Sequence, residues 1–475
     1  MFFLYSLLIA IGVFLASPYF LFRGLQTGKY FGTLGERFGG LPPEVKALPA
    51  GCIWIHAVSV GEAVAALPLA RQLKQKFPAR PLVISTTTET GQKLVEERFD
   101  FADAIIYFPF DWAWIVRRVL RVVRPACVLI VETEIWPNFM RQAKRAGVPV
   151  IFVNGRISQK SFRRHERALR WFPFIVGRFY KRVLNYAALF LMQSEADAER
   201  VRKMGADAER VIVTGNLKYD SPLPEETPFV KWLGKTIDAE KRRPLIVTGS
   251  VTSGEESLVL IAFGVLQGQM RDALLVLAPR KPERFNPAAQ DIVESLRKYV
   301  RRSEIDLNSP TISNGAPIFP SDVSVLLLDT IGELAAIYGL ADAVYVGGSM
   351  VEAGGHNILE PAGFGKPPLF GVHMENFQEL ANTFLARGAA RQVTNPEDLG
   401  VAWIELLEDS ARRKKMGDAA RAVVEENRGA TARTIEHISQ VLDFGSSATR
   451  LGTAALEATK AAASEAAAVT GGSGA

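Results

Sequence analysis

The stretch CVLIVETEIWPN (residues 127–138) passes from five apolar residues to an acidic turn and then to the start of a helix near Pro137. A short apolar run that ends in a turn is typical of a strand buried on both faces of a parallel sheet. The stretch CIWIHAVSVGE (residues 52–62) has the same form. Such strands, alternating with amphipathic helices, predict an α/β fold with helices on both faces of the sheet.

This alternation occurs twice, and the Pro- and acid-containing segment SPLPEETP, which begins at Ser221, separates the two parts. A segment of this composition is typical of a linker. We therefore predict two doubly wound, Rossmann-like domains that face a cleft lined by the carboxyl ends of their strands. The predicted strands are Ile53–Ala57, Leu82–Ser85, Ala126–Val131, Val148–Val153 and Ala188–Met192, followed by Leu245–Gly249, Leu274–Ala278, Val323–Leu328, Ala343–Gly347 and Pro368–Phe370.

The N-terminus differs from the rest of the chain, because residues 1–22 contain no charged side chain and are mostly apolar. About 20 such residues are enough for a helix to cross a bilayer. No Lys or Arg precedes the run, which favours a retained anchor over a cleaved signal peptide. Arg23, Lys29 and Arg37 follow it, so the positive-inside rule predicts that the body lies in the cytoplasm. Whether the segment spans the membrane or lies in it stays open.

The domain bounds follow from these changes in composition. The predicted parts are a membrane anchor helix (1–28), a first domain (29–222), a second domain (228–425), a C-terminal helix (426–444) and a flexible Ala/Gly/Ser-rich tail (445–475).

The composition limits the classes of site that we expect. A chain of 475 residues is too long for one core, and its formal net charge of +6 is a mild excess. Cys52 and Cys127 both lie in apolar runs, so a disulfide framework is not expected. The five histidines lack metal-ligand spacing, and no Asp-x-Asp pair is present to bridge a metal to a diphosphate. We therefore predict no metal site.

Two glutamates follow predicted strands of the first domain. Glu62 falls in the first turn of a helix, where the helix dipole favours a carboxylate, so it is either a helix-stabilising residue or a general base. Glu132 comes directly after the strand CVLIV, at the edge where open sheets place functional groups. A solvated surface carboxylate remains the alternative at this position. Glu134 is interpreted as solvated.

The second domain contains the glycine-rich segment VGGSMVEAGGHNILEP (residues 346–361). Its glycines let backbone amides approach a ligand closely, and a helix that begins near Asn357 points its positive end at a phosphate. Glu360 then accepts hydrogen bonds from ribose hydroxyls. Arg280 and Lys218 are candidates to balance the charge of a departing phosphate, although basic residues in loops are commonly solvated.

Residues 156–182 form a basic and aromatic stretch. It contains nine Lys or Arg residues and one acid, Glu166, and the aromatic residues Trp171, Phe172, Phe174, Phe179 and Tyr180 are interleaved with the basic ones. Nucleic acid is one possible partner of such a patch, and a solvated face without a ligand is another interpretation. Beside an N-terminal anchor we favour an anionic membrane surface or a phosphorylated lipid over nucleic acid.

Seven motifs together resemble those of the bacterial 3-deoxy-D-manno-octulosonic acid (Kdo) transferases of lipopolysaccharide synthesis. They occur in the family's order, and the resemblance covers residues 30–425. A match in seven separate segments is specific, whereas the tail after residue 445 has no counterpart. The motifs are GERFG (35–39), HAVSVGE (56–62), VETEIWPN (131–138), GNLKYD (215–220), APRKPERF (278–285), DTIGELAAIYGLAD (329–342) and GGSMVEAGGHNILEP (347–361).

The resemblance implies a GT-B glycosyltransferase at the cytoplasmic face of the inner membrane. It implies CMP-Kdo as the donor and a tetra-acylated disaccharide bisphosphate lipid A precursor as the acceptor, with inversion and without a metal. By resemblance Glu62 is the general base, and Glu132 and Lys218 stabilise the transition state. The residues that it assigns to binding CMP are Pro279, Arg280, Ile331, Gly332, Glu333, Asn357, Ile358, Leu359 and Glu360.

Three questions stay open at this point. The same motifs fit an enzyme that adds one Kdo residue and one that adds several. A sugar-nucleotide epimerase, or another GT-B transferase with a soluble acceptor, keeps the fold and changes the reaction. A membrane-tethered module without catalysis, binding lipid or nucleic acid through residues 156–182, would leave Glu62 and the glycine-rich segment without a role.

Overall fold

The computed structural model describes residues 1–7, 9–13, 15, 31–307, 318–320 and 322–443. The described chain forms two compact units, of which the first comprises residues up to Ser221 together with 428–443 and the second comprises Pro222–Asn427. The predicted tail (445–475) and most of the predicted anchor lie outside the described residues. In the described part of the chain, no helix has both the length and the apolar character that crossing a membrane requires.

The first unit is built on a seven-stranded parallel sheet with the strand order β3-β2-β1-β4-β5-β6-β7. Its central strands are buried on both faces, as their continuous apolar sequences predict. The strands are β1 (Cys52–His56), β2 (Leu82–Thr86), β3 (Ala104–Tyr107), β4 (Pro125–Val131), β5 (Val150–Gly155), β6 (Leu189–Met192) and β7 (Val211–Val213).

Helices cover both faces of this sheet and form two hydrophobic cores with it. Trp54 of β1 lies in one core, where its ring packs edge-on against Phe139 with 5.4 Å between centroids, and the neighbouring Ile55 lies in the other. The helices are α1 (Phe31–Arg37), α2 (Pro43–Ala47), α3 (Val60–Lys76), α4 (Glu89–Arg98), α5 (Ala113–Val123), α6 (Pro137–Arg145), α7 (Gln159–Trp171), α8 (Pro173–Leu184) and α9 (Glu195–Lys203).

The chain returns to the first unit at its C-terminal end. Residues 430–443 are helical, and Ile435 and Ile438 are buried in the same core as Ile55. Asp220 fixes the start of this helix, because its carboxylate accepts hydrogen bonds from the backbone amides of Gly429 (2.6 Å) and Thr431. The sequence pattern predicts a C-terminal helix but does not indicate where it packs.

The second unit has its own seven-stranded parallel sheet, with the order β10-β11-β9-β8-β12-β13-β14. The strands are β8 (Leu245–Val251), β9 (Leu274–Pro279), β10 (Lys298–Arg301), β11 (Val323–Leu327), β12 (Ala343–Val346), β13 (Pro368–Phe370) and β14 (Arg391–Gln392). The helices are α10 (Pro228–Ala239), α11 (Glu256–Gln267), α12 (Phe285–Glu294), α13 (Leu334–Ile337), α14 (Leu359–Gly363), α15 (Gln378–Ala386), α16 (Pro396–Glu408) and α17 (Ser410–Glu426).

The basic and aromatic stretch is a helical hairpin, α7 and α8, inserted between β5 and β6. Its turn exposes large apolar side chains, with Trp171 76% and Phe174 80% exposed. The N-terminal helix, over the described residues 2–7, 9–13 and 15, packs beside α8, since the Phe2 and Phe179 rings lie 5.3 Å apart. The Tyr5 hydroxyl donates to Asp111 (2.9 Å), so this helix is also bonded to the body of the unit.

Candidate active site

Three of the predicted residues, Glu62, Glu132 and Lys218, lie together in the first unit. Glu62 follows β1, and Glu132 follows β4, the neighbouring strand of the parallel sheet. The carboxyl ends of neighbouring parallel strands meet at one edge of a sheet, which is why residues far apart in sequence lie close together here. Burial lowers the pKa of Lys218, and the charges of Glu132 and Glu62 both act in the opposite direction. The three groups therefore share one environment.

The Glu62 carboxylate is buried and oriented by the turn that precedes α3. Its Oε2 accepts a hydrogen bond from the Val58 backbone amide (2.7 Å), and its Oε1 accepts one from the Ser59 hydroxyl (2.9 Å). Burial raises the pKa of Glu62 to about 7, with a further contribution from the nearby Glu132 and Glu134 carboxylates. The two hydrogen bonds act in the opposite direction, because they stabilise the ionised form. A carboxylate with a pKa near neutrality is suited to act as a general base.

Glu132 has a left-handed backbone conformation, with φ of 58°. Such a conformation costs a residue with a Cβ atom about 1 kcal/mol or more, and it is concentrated at functional sites. The amide of Glu132 still donates to the Val153 carbonyl (2.9 Å), so the strand pairing continues to this point. The conformation therefore turns the side chain at the end of an otherwise regular strand.

Lys218 forms an ion pair with Glu132, with 3.8 Å between Nζ and Oε1. Burial lowers the pKa of Lys218, whereas the Glu132 charge raises it. The nearby Arg156 also lowers this pKa, so Arg156 contributes to the charge of this site. Sequence reasoning placed Arg156 only in the basic stretch 156–182.

The segment that carries Lys218 is held by two asparagines that sequence reasoning did not select. Asn216 accepts a hydrogen bond from the Lys218 amide (3.0 Å). Asn154, buried at the end of β5 with φ of 55°, accepts one from the Leu217 amide (2.9 Å). The sequence signal that could have identified Asn154 is a polar residue at the end of an apolar strand, as in FVNG.

The Glu134 side chain is not freely solvated, in contrast to the interpretation from sequence. Burial raises its pKa, and Glu132 adds to this effect. Three carboxylates, of Glu62, Glu132 and Glu134, therefore influence one another, and Lys218 balances part of their charge.

The donor segments predicted in the second unit also come together. Arg280 directly follows β9, and its amide donates to the Val251 carbonyl (2.8 Å). Burial raises the pKa of Tyr338, the Glu360 charge adds to this increase, and the Arg280 charge opposes it. Burial and the Arg280 charge also lower the pKa of His356 to about 4. Within the described residues the Arg280 guanidinium has no ion-pair partner, so its charge is available to an anion.

The glycine-rich segment is organised by a buried acid that sequence reasoning missed, Glu255. Its carboxylate accepts hydrogen bonds from the amides of Gly348, Ser349 (3.0 Å) and Met350 (3.0 Å), and from the Tyr345 hydroxyl (2.7 Å). These three amides are consequently not available to a phosphate, in contrast to the interpretation from sequence.

Two further glycines of this segment serve close packing within the unit. A Cβ atom at Gly354 would lie 2.3 Å from Asn376, and one at Gly355 would lie 2.4 Å from the Met374 sulfur. Both glycines have positive φ, which other residues rarely adopt. Their role is thus to bring loops of the unit together rather than to admit a ligand.

The remaining donor residues differ in what they offer a ligand. Ile358 and Leu359 have buried side chains, so only their backbone atoms are candidates for contact. Asn357 donates to Glu360 (3.3 Å) and accepts from the Leu359 amide (3.1 Å). The helix α14 begins at Leu359, two residues later than predicted, and its five residues give a weaker dipole than a long helix.

The loop of Ile331, Gly332 and Glu333 exposes one apolar side chain and holds one carboxylate in an ion pair. Ile331 is 65% exposed, and Gly332 has φ of 96°. Glu333 forms an ion pair with the Arg302 guanidinium, with 2.9 Å between Oε1 and Nη2. The Arg302 guanidinium also lies over the Phe229 ring. The Glu333 carboxylate is therefore part of the loop's internal support.

Comparisons with known proteins support the family that the motifs suggest. Residues 32–221 match the family model described as 3-deoxy-D-manno-octulosonic-acid transferase (kdotransferase). The chain is 34% identical over 417 residues to the 3-deoxy-D-manno-octulosonic acid transferase of Bordetella pertussis, which covers 86% of this chain and 91% of that protein. The chain belongs to the Kdo transferase family. The Haemophilus influenzae member is 31% identical, with coverage of 88% of this chain and 93% of that protein.

Solved structures share the fold of this Kdo transferase at low sequence identity. A glycosyltransferase of Rickettsia africae has a TM-score of 0.53 and 13% identity, with coverage of 83% of this chain and 99% of that one. Alr3699/HepE of Anabaena, in complex with UDP and glucose, has a TM-score of 0.51 and 13% identity, with coverage of 83% and 99%. At this identity the likeness concerns the fold alone, which is two parallel-sheet α/β domains.

Proposed function

We propose that this Kdo transferase moves Kdo from CMP-Kdo to a tetra-acylated disaccharide bisphosphate lipid A precursor in lipopolysaccharide core synthesis. The observation that carries the proposal is the buried Glu62 carboxylate, whose pKa is raised to about 7 and whose two oxygens are held by Val58 and Ser59. A base near neutrality in a glycosyltransferase fits the activation of a sugar hydroxyl, which is a poor nucleophile by itself.

Glu62 acts as the general base on the acceptor hydroxyl. Within the described residues, each of its oxygens accepts a single hydrogen bond from the protein, and a carboxylate oxygen has capacity for a second. The held carboxylate receives the proton as the oxygen attacks the anomeric carbon of the ketose. A single direct displacement of this kind inverts the anomeric centre.

Glu132 and Lys218 balance the charges that develop during transfer. Positive charge develops on the sugar and negative charge on the departing CMP. Fixed carboxylates favour the former, and cations favour the latter. The ion pair between Glu132 and Lys218 places one group of each sign beside the base, already oriented before the reaction.

The second unit binds the CMP part of the donor. Arg280 supplies a cation for the single phosphate, and Asn357 with Glu360 offers polar groups for the nucleoside. Pro279 and the Ile331–Glu333 loop complete the proposed set, with Ile358 and Leu359 contributing backbone atoms. We propose that no metal ion takes part, since one phosphate has no diphosphate for a metal to bridge.

We further propose that the α7–α8 hairpin binds the anionic cytoplasmic face of the inner membrane, with the N-terminal segment as the anchor. Apolar side chains at the turn, such as Trp171 and Phe174, are exposed, and Arg167, Arg170 and Arg178 flank them. Aromatic residues with neighbouring cations are the combination that binds at the interface of an anionic membrane. The acceptor has the same chemistry, with phosphates on its head and acyl chains below.

The test is an assay of product mass with the purified full-length protein, CMP-Kdo and the lipid precursor, in the presence of EDTA. A gain of one or more Kdo units is expected for the wild type and a loss of about 10²-fold or more for Glu62→Gln. The exposed Glu96 provides a control, since Glu96→Gln should retain full activity.

Each other outcome of this assay has a defined meaning. A gain that Glu62→Gln leaves unchanged contradicts the role of Glu62 and keeps the reaction. A gain that EDTA abolishes contradicts metal independence. Transfer from UDP-sugars but not from CMP-Kdo contradicts the proposed donor.

A further inference from the structure

A groove on the first unit is lined by none of the residues assigned to the transfer reaction. It has a volume of about 370 Å³ and runs between α5 and α6. Its lining contains three arginines and no acidic residue; the lining residues are Arg117, Leu120, Arg121, Gln142, Arg145 and Ala146.

The three guanidinium groups are not neutralised by the protein. Within the residues that the structure describes, none of Arg117, Arg121 and Arg145 forms an ion pair, and the one hydrogen bond among them joins the Arg117 Nε to the Ala113 carbonyl (3.1 Å). Three like charges that line one groove repel one another unless an anion lies among them. Their exposed guanidinium edges are thus available to such an anion.

Gln142 provides a second, independent observation. Gln142 lines the groove and is only 3% exposed. In the described part of the chain, its side-chain amide has no hydrogen-bond partner. The amide carries two donors and a carbonyl acceptor, and it is not among the fully enclosed polar atoms, so it remains accessible from the groove. A partner that enters the groove satisfies this amide.

We propose that this groove binds a phosphate group. Guanidinium groups bind phosphate oxygens through paired hydrogen bonds, and a tetrahedral anion accepts from several donors at once. A phosphate group therefore matches three arginines and one amide donor better than a ligand with a single carboxylate does. The proposal does not depend on the transfer reaction, because it uses none of the residues assigned to it.

The phosphate has two possible sources, a phospholipid headgroup or the soluble ion. The position of the groove favours the headgroup. Asn138 and Arg141 of α6 contact the N-terminal helix, through Ser6 (3.0 Å) and through the Phe2 ring, respectively. Arg145 lies one turn further along the same stripe of α6, so the groove continues the surface on which the N-terminal helix packs.

The experiment compares two variants of the full-length protein that each lose two positive charges. Arg121→Gln with Arg145→Gln alters the groove, whereas Lys93→Gln with Arg98→Gln alters exposed residues of α4. Binding to phosphatidylcholine vesicles with and without phosphatidylglycerol is measured by flotation. Broadening of the ³¹P resonance of inorganic phosphate by the protein is measured in parallel. The thermal midpoint of each variant verifies folding.

We expect the groove variant to bind anionic vesicles about tenfold more weakly than the α4 variant, and to lose the phosphate broadening. A defect with vesicles alone supports the site and assigns it to a lipid headgroup. A defect with inorganic phosphate alone supports the site and assigns it to the soluble ion. Equal behaviour of the two variants in both measurements overturns the proposal. Gln142→Leu, which keeps all three arginines, should weaken phosphate binding in the same direction.

Discussion

The raised pKa of Glu62 predicts a specific dependence of stability on pH. The folded-state pKa is about 7, whereas the ordinary value is 4.5. Because the folded pKa is the higher one, the folded protein holds its proton more tightly than the unfolded chain does. The favourable contribution is therefore complete below about pH 4.5 and is lost as the pH rises through 7.

The size of the effect follows from the same difference. A shift of one pKa unit corresponds to about 1.4 kcal/mol, so the shift between 4.5 and about 7 costs the folded wild type on the order of 3 kcal/mol above pH 8. Glu62→Gln removes the titration and keeps partners for both bonds, since an amide oxygen accepts from Val58 and an amide nitrogen donates to the Ser59 oxygen. The variant should therefore be more stable than the wild type at pH 8, and most of this advantage should be lost near pH 5.

Differential scanning calorimetry of wild type and Glu62→Gln at pH 5 and pH 8 measures this difference. For a unit of this size, about 3 kcal/mol corresponds to a difference in Tm of roughly 6 to 12 °C between the two pH values. Glu96→Gln, at an exposed position of α4, controls for the loss of one charge. An advantage of Glu62→Gln that is the same at pH 5 and pH 8 would refute the reasoning, because it would show that the ionised carboxylate is not costly in the fold.

Four further predictions concern the sites. Ser59→Ala removes a bond to the ionised Glu62, so the acidic limb of the pH profile of kcat/KM should move up by about one unit; an unchanged limb contradicts this orientation. Lys218→Met should lower kcat at least tenfold, because it removes a buried charge that balances the transition state and takes the ion-pair partner from Glu132; an unchanged kcat contradicts this role. Glu255→Ala should reduce the free energy of unfolding by about 3 kcal/mol or more in urea titrations, since several buried donors lose their acceptor. Gly249→Ala should destabilise the second unit by more than 1 kcal/mol in the same titration, because its Cβ atom would lie 1.9 Å from a buried tyrosine hydroxyl; equal stability would contradict the packing.

The strands that sequence reasoning predicted are the inner ones of both sheets, and the four that it missed are the edge strands β3, β7, β10 and β14. An inner strand of a parallel sheet is covered on both faces, so its apolar residues are continuous and visible in the sequence. An edge strand is shorter and partly exposed, and the burial of β10 and β14 illustrates this. The sequences of β10 (KYVR) and β14 (RQ) resemble loops, whereas β3 (AIIY) and β7 (VIV) are apolar but only four and three residues long. Pairing with a neighbour is what defines all four as strands.

The candidate site shows the same division between local and long-range information. The segment from His56 to Glu62 marks the base by its local pattern of a strand, a turn and an acid. The pairing of Glu132 with Lys218 joins residues that are 86 positions apart, so no local pattern reports it. Likewise, the glycines from Gly347 onward suggest a ligand loop from sequence, and only the fold shows that Glu255 already occupies the amides of Gly348 and Ser349.

The sequence by itself determined the fold class, the family and the identity of the candidate catalytic residues, because these depend on short apolar runs and on motifs whose residues are neighbours in the chain. The tertiary structure alone decided the electrostatics of the site and the partners of its groups. A pKa such as that of Glu62 depends on burial and on charges from distant segments, and neither quantity exists until strands such as β1 and β4 are paired.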